Sequence, residues 1–178
     1  MEDGDVKITE SSAIMEYIIT KHGNHAGGGL KLPPTSPNYA DSVFWFYWAI
    51  GTLQPAVSTP MFLQLGGADP SNRTSQSAQA RLTKALQNMD ARLREYPYLA
   101  GEEFTAADIY AGFTVSTMRL FYPFPLMGYD GILQWLKRLS ERPAHKAVME
   151  KAEKGEDRGV VPTIMAEAPA PMWAFAEK

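Results

Sequence analysis

Apolar residues recur at three- and four-residue steps through most of this chain, and at two-residue steps only at its start. In residues 73–95, Ala78, Leu82, Ala85, Leu86, Met89 and Leu93 form one stripe, with Arg81, Lys84, Gln87 and Arg92 elsewhere, which predicts an amphipathic helix. Ala13, Ile14, Tyr17 and Ile18 predict another over 11–22, stopped by Gly23. Residues 105–120 predict an apolar, buried helix. Residues 129–141 carry Ile132, Leu133, Leu136 and Leu139, and Pro143 falls at the first turn of one more, to about Lys154. The run Val43-Phe44-Trp45-Phe46-Tyr47-Trp48-Ala49-Ile50, inside a helix over 38–54, is apolar on every side. Core must cover one flank and a ligand or a partner the other. Pro55 and Pro60 should kink or interrupt its continuation toward Leu65, and Gly66-Gly67 should end it.

At the start, Val6 and Ile8 alternate with Lys7 and Thr9 behind the Asp3-Gly4 turn signal, which predicts a strand over 5–8. Its only neighbour in reach is Met1-Glu2, and a two-stranded ribbon is marginal by itself. Residues 23–37 hold four glycines and three prolines and read as a linker. The fold class is mainly all-α: a helical bundle with a strand-helix stub at its front.

Composition narrows the function. The chain has 178 residues, 45% of them hydrophobic, enough for one domain or one domain plus a fragment. Its 17 Lys+Arg against 20 Asp+Glu give a net charge of −3, against a nucleic-acid partner, which needs a basic face. With zero Cys, a disulfide, a thiolate-bound zinc and a cysteine nucleophile are excluded within the chain. No apolar run reaches the ~18 residues of a membrane span. The acidic start, Met1-Glu2-Asp3-Gly4-Asp5, is unlike a secretory signal. A cytoplasmic protein is expected. His22 and His25 lie near no acidic cluster, so no metal site is expected. Lys146, Lys151 and Lys154 alternate with Glu150 and Glu153 as a solvated face.

Two motifs stand out. In Phe104-Thr105-Ala106-Ala107-Asp108-Ile109, Thr105 is an N-cap, Asp108 closes a capping box, and Phe104 with Ile109 can close a hydrophobic staple. This fixes where a buried helix begins. In Thr9-Glu10-Ser11-Ser12-Ala13-Ile14, a strand hands over to a helix whose first N–H groups make an anion site. Ser11 adds a hydroxyl and Glu10 a carboxylate, which together suit a zwitterion. Two readings stay open on the chemistry alone. Either the pair binds such a ligand, or Ser11 caps the helix and Glu10 complements its dipole.

Together the motifs resemble a cytosolic glutathione transferase. Residues Asp3 to Ile18 look like the last strand and third helix of that family's thioredoxin-like half. Tyr98 to Ile109 resemble its stapled sixth helix, and Trp135-Leu136-Lys137-Arg138 and Arg142-Pro143-Ala144 its later helices. The resemblance covers about residues 3–152 and is closest to fungal members, some of which serve secondary-metabolite pathways. It implies a remnant of the thioredoxin-like glutathione-binding domain over 1–24, a linker over 25–37, the all-helical C-terminal domain over 38–154 and a Pro-containing tail over 155–178. It also implies a cofactor, glutathione, with its γ-glutamyl carboxylate on Ser11 and its ammonium on Glu10. A homodimer is implied too. Most of the thioredoxin-like half, with the family's catalytic Ser, Tyr or Cys, has no counterpart here, so the catalytic residue is unknown.

In that family the electrophile lies against the helical domain. Phe44, Tyr47, Trp48, Phe113, Met118 and Tyr122 are the candidates for binding a small apolar electrophilic substrate. Ordinary core packing is the alternative for each. Trp173 and Phe175 in the tail are either disordered or a lid over that pocket. The expected activity is thiolate attack on a conjugated double bond, ending in conjugation or, if the thiolate leaves again, in cis–trans isomerisation. The alternatives are a non-catalytic dimerisation or docking module, or a truncated chain of a full-length transferase.

Overall fold

The computed structural model describes residues 1–23, 29–153 and 164–171, so the expected roles of His25, Trp173 and Phe175 lie outside the described residues. Strands β1 (Glu2–Asp3) and β2 (Val6–Lys7) pair antiparallel, Glu2 opposite Lys7, as the alternation requires. A ribbon this short needs support from outside. It comes from helix α1 (Ser11–His22): the Tyr17 hydroxyl, the Lys21 ammonium and the His22 ring all bond one oxygen of Asp3, at 2.8 to 2.9 Å. These partners, Lys21 foremost, hold the Asp3 carboxyl well below its ordinary range.

Helix α2 (Tyr39–Trp48) passes through one π-helical stretch, Ala49–Leu53, into α3 (Gln54–Leu65). The expected break at Pro55 takes this form for a steric reason. Proline has no N–H and its ring presses on the carbonyl four residues back, and a wider turn relieves that contact. Pro60, expected to interrupt the helix, lies buried inside α3 without ending it.

Helix α4 (Arg73–Glu95) matches its expected span, begun by the Asn72 side chain accepting from the Ser75 N–H at 2.8 Å, and buries the whole expected stripe. Helix α5 (Ala106–Val115) starts at the expected capping box but is shorter than the apolar run. At Ser116 the backbone turns, and a 3-10 turn over Thr117–Leu120 follows. Helices α6 (Asp130–Ser140) and α7 (Pro143–Glu153) complete the bundle.

The core gathers Leu53, Val57, Met89, Leu99, Ile132 and Trp135, all fully buried. Helix α5 packs on α2 and the π-helical stretch, while α4 packs between α3 and α6. Asp90 of α4 caps α6 from outside, its Oδ1 accepting the N–H groups of Gly131 at 2.8 Å and Ile132 at 3.2 Å. The linker is fastened where Ala106, the first residue of α5, donates its N–H to the Leu30 carbonyl. Fully buried Arg119 donates to the carbonyls of Phe124, Met165 and Glu167, while the Leu126 N–H reaches the Ala166 carbonyl. Residues 165–167 thus return to the 3-10 turn and the loop that follow α5. Among the described residues no helix is long and apolar enough to cross a membrane.

Candidate ligand site at the head of helix α1

Between β2 and α1 the chain turns through Glu10 at φ 67, the one non-glycine among the described residues with positive φ. That conformation costs an L-residue about 1–2 kcal/mol, because its Cβ crowds the next carbonyl. Strain of this kind persists where the surroundings impose it, which is often at a functional site. Helix α1 begins immediately after it. Its first backbone bond runs from the Ile14 N–H to the Glu10 carbonyl, so the N–H groups of Ser11, Ser12 and Ala13 stand ahead of the ladder, and no side chain caps them. Ser11 is therefore the first helical residue and not the cap, which corrects one of the two readings of the motif. Glu10 and Ser11 are both exposed.

Helix α5 contributes to the same place. The Ser11 hydroxyl lies 3.4 Å from the Tyr110 hydroxyl, and Tyr110 donates to Gln54 Oε1 at 2.9 Å. The Gln54 amide in turn lies 3.9 Å from the Met118 sulfur. The π-helical stretch ends one residue before Gln54, so the widened turn sets the angle at which Gln54 enters the site. A strained carboxylate, three forward N–H groups and two hydroxyls are an amphoteric site, suited to an ammonium and a carboxylate on one small molecule.

The six aromatic and sulfur-bearing candidates do not meet in one cavity. Met118 alone touches this network, through Gln54, and it is buried. Phe44 is exposed on α2, edge-on to Trp45. Tyr47, also exposed, borders a small cavity of about 190 Å³ with Glu16 and Lys31. Trp48 is buried at the floor of a groove between α3 and α4. Phe113 borders a third cavity, between α5, α6 and α7. Tyr122 donates its hydroxyl to Gln79 at 3.0 Å, and burial raises its pKa above the ordinary value. Among the described residues no three His, Asp or Glu gather as metal ligands, and His22 is paired with Asp3.

Tyr110, Gln54 and Arg119 were not singled out by the sequence. Each carried a signal. Gln54 stands between Leu53 and Pro55, Arg119 between Met118 and Leu120, and Tyr110 follows the capping box by two residues.

Known proteins supply the context. Residues 52–143 match the family model described as glutathione S-transferase, C-terminal domain. The chain is 31% identical over 159 residues to glutathione S-transferase 1 of Triticum aestivum, covering 83% of this chain and 69% of that protein. Its fold is similar to that of a delta-class glutathione transferase of Nilaparvata lugens, with TM-score 0.69 and 25% identity, over 86% of this chain and 70% of that one. It is also similar to a glutathione S-transferase-I solved bound with lactoylglutathione, with TM-score 0.64 and 25% identity, over 83% of this chain and 71% of that one.

Proposed function

The chain belongs to the glutathione S-transferase family, and we propose that it binds glutathione at the head of α1 and turns the thiol on a small apolar electrophile. The observation that carries this reading is the strained Glu10, held at φ 67 beside the uncapped N–H groups of α1. In this reading the γ-glutamyl carboxylate takes the forward N–H groups and the Ser11 hydroxyl, and the γ-glutamyl ammonium takes Glu10. A related fold bound with lactoylglutathione, itself a glutathione thioester, is consistent with such a ligand.

The thiolate sulfur adds to an activated double bond, and the electron pair moves onto the conjugated oxygen as an enolate. Protonation of the enolate carbon gives a conjugate. Rotation about the former double bond, then expulsion of the thiolate, gives the isomer and returns glutathione. The chain's part in both is to position the two reactants, which alone can lower a barrier by about 7–11 kcal/mol in well-aligned cases. A place in a fungal biosynthetic pathway accommodates either outcome.

Calorimetric titration with glutathione, alongside Glu10→Ala and Ser11→Ala, tests the site. Binding weakened by both changes supports it, and binding indifferent to both refutes it. Mass spectrometry of an incubated electrophile then separates an adduct from an isomer of unchanged mass.

A second reading rests on the outer face of α2, where Phe44 and Tyr47 are 53% and 63% exposed. Large exposed aromatics in one place mark an interface. We propose that two copies of the chain pair through this face as a homodimer, with or without catalysis.

A further inference from the structure

The β1–β2 hairpin is fastened to α1 through one carboxylate. Among the described residues, every side-chain hydrogen bond between the two ends on Asp3, from the Tyr17 hydroxyl, the Lys21 ammonium and the His22 ring. These partners lie 14, 18 and 19 positions further along the chain. Tyr17 and Lys21 share a face of α1, and the His22 ring stands edge-on to Tyr17 with centroids 6.1 Å apart. Helix α1 is itself fixed on the bundle, by buried Ile19 in the core and by Ser11 against Tyr110.

Glu10 lies inside the ring that Asp3 closes. From Val6 to Glu10 the extended chain covers about 13 Å. From Ser11 to its three clasp residues, α1 covers about 9–17 Å. Strand and helix therefore run side by side with matched lengths, and the chain must reverse at the head of α1. The Ile8 N–H still bonds the Met1 carbonyl, and Ser11 is already helical, so only Thr9 and Glu10 remain for the reversal. It falls on Glu10, at φ 67. An L-residue reverts to negative φ unless its surroundings forbid it. The Glu10 side chain does not impose the angle, since it is exposed and, among the described residues, its carboxylate has no hydrogen-bond or ion-pair partner. The closure at Asp3 does.

We propose that Asp3 is a positioning residue for glutathione, an inference that rests on binding of that ligand at the head of α1. By clasping the hairpin to α1, Asp3 imposes the left-handed turn at Glu10, and the turn aims the Glu10 carboxylate at the γ-glutamyl ammonium. Asp3 touches no ligand and acts only through Glu10. Two groups of one ligand therefore respond differently. The γ-glutamyl carboxylate meets N–H groups that α1 supplies whatever the hairpin does, and the ammonium alone depends on the clasp.

The test compares glutathione with glutaryl-cysteinylglycine, which is glutathione without that ammonium, by calorimetry on the full chain. Glu10→Gln weakens glutathione about tenfold, the scale of one charged hydrogen-bonded contact. Asp3→Ala weakens it about three- to tenfold, leaves glutaryl-cysteinylglycine within about 1.5-fold, and adds nothing in the Glu10→Gln background. Lys21→Ala with His22→Ala, which opens the clasp from the helix side, does the same. The free chain gives a second readout. Positive φ brings the amide and α protons of a residue close together, so Glu10 has a strong intraresidue nuclear Overhauser effect that should fall in both clasp variants. Circular dichroism confirms that each variant folds. The proposal is overturned if that signal survives Asp3→Ala, or if Asp3→Ala binds glutathione like wild type while Glu10→Gln does not. Equal weakening of both ligands would make Asp3 a support of α1 alone and overturn it too. Glutathione binding that is absent, or indifferent to Glu10→Gln and Ser11→Ala, refutes the ligand site itself and this role of Asp3 with it.

Discussion

Trp135 donates its indole N–H to Asp108 at 2.9 Å, and both side chains are fully buried. The same oxygen receives the Leu99 N–H at 3.0 Å, and the other takes the Thr105 N–H at 2.9 Å. One carboxylate thus ties the start of α5 to the turn before it and to the middle of α6. Asp108→Ala strands these donors in the core and is expected to cost about 3 kcal/mol or more in urea unfolding.

The pH dependence of that residue has a defined sign. Burial outweighs the hydrogen bonds and holds the Asp108 carboxyl above its ordinary 3.8. Just above that pH the native chain binds more protons than the unfolded chain. The Asp108 contribution is therefore complete below 3.8 and declines as pH rises through the folded pKa. Asp108→Asn lacks this titration. The stability difference between wild type and Asp108→Asn should shrink with rising pH across the acid range, then level off. A difference flat with pH throughout would contradict the upward shift.

Gly131 sets how closely α6 approaches α4. A Cβ there would sit 2.6 Å from the Asp90 carbonyl oxygen and 3.0 Å from the Arg94 nitrogen. Gly131→Ala must push the helices apart and disturb the Asp90 cap, at about 1–3 kcal/mol. A lowered melting temperature checks it, and a melting curve like that of wild type would show that α6 moves freely.

Glu10→Gly separates stability from binding. Glycine accepts positive φ, so the change should stabilise the fold by up to about 1–2 kcal/mol less any added chain entropy. It also removes the carboxylate proposed to hold an ammonium. Higher melting temperature with weaker glutathione binding is expected. A variant that melts lower would mean that Glu10 makes stabilising contacts which outweigh its backbone strain.

Phe44→Ser with Tyr47→Ser should yield a monomer by light scattering that keeps the helical circular dichroism of wild type, because both residues are exposed in the single chain. Trp45, on the same helix, is left intact in this test. Trp45 is 5% exposed and packs edge-on to Trp48 at 4.9 Å, so its loss costs about 3–5 kcal/mol of folding. A double variant that still pairs would move the interface elsewhere.

Helix spans were legible wherever apolar and polar residues alternate with period 3.6. The expected limits of α4, 73 and 95, are the observed ones. Legibility failed where everything is apolar. Between Val43 and Ile50 no face differs from another, so neither the buried choice of Trp45, Phe46 and Trp48 nor the π-helical stretch follows from pattern. At the candidate site, the strand-helix junction that carries Glu10 and Ser11 was legible. Tyr110, which meets Ser11, was not, because a tyrosine in a buried helix looks like core until the fold brings it there. The strain at Glu10 was equally hidden, since a dihedral angle leaves no mark in composition.

Arg119 has a consequence for how the chain is made. Its buried guanidinium is satisfied partly by the carbonyls of Met165 and Glu167, which leave the ribosome well after it. At about 5–20 residues per second, translation delivers those acceptors several seconds later. During that interval the 3-10 turn after α5 holds a charge that its final surroundings cannot yet accommodate. The carbonyls of Met165 and Glu167 are thus late-arriving partners of Arg119. A nascent chain stalled before residue 165 should be digested readily around Arg119, and one released at full length should not.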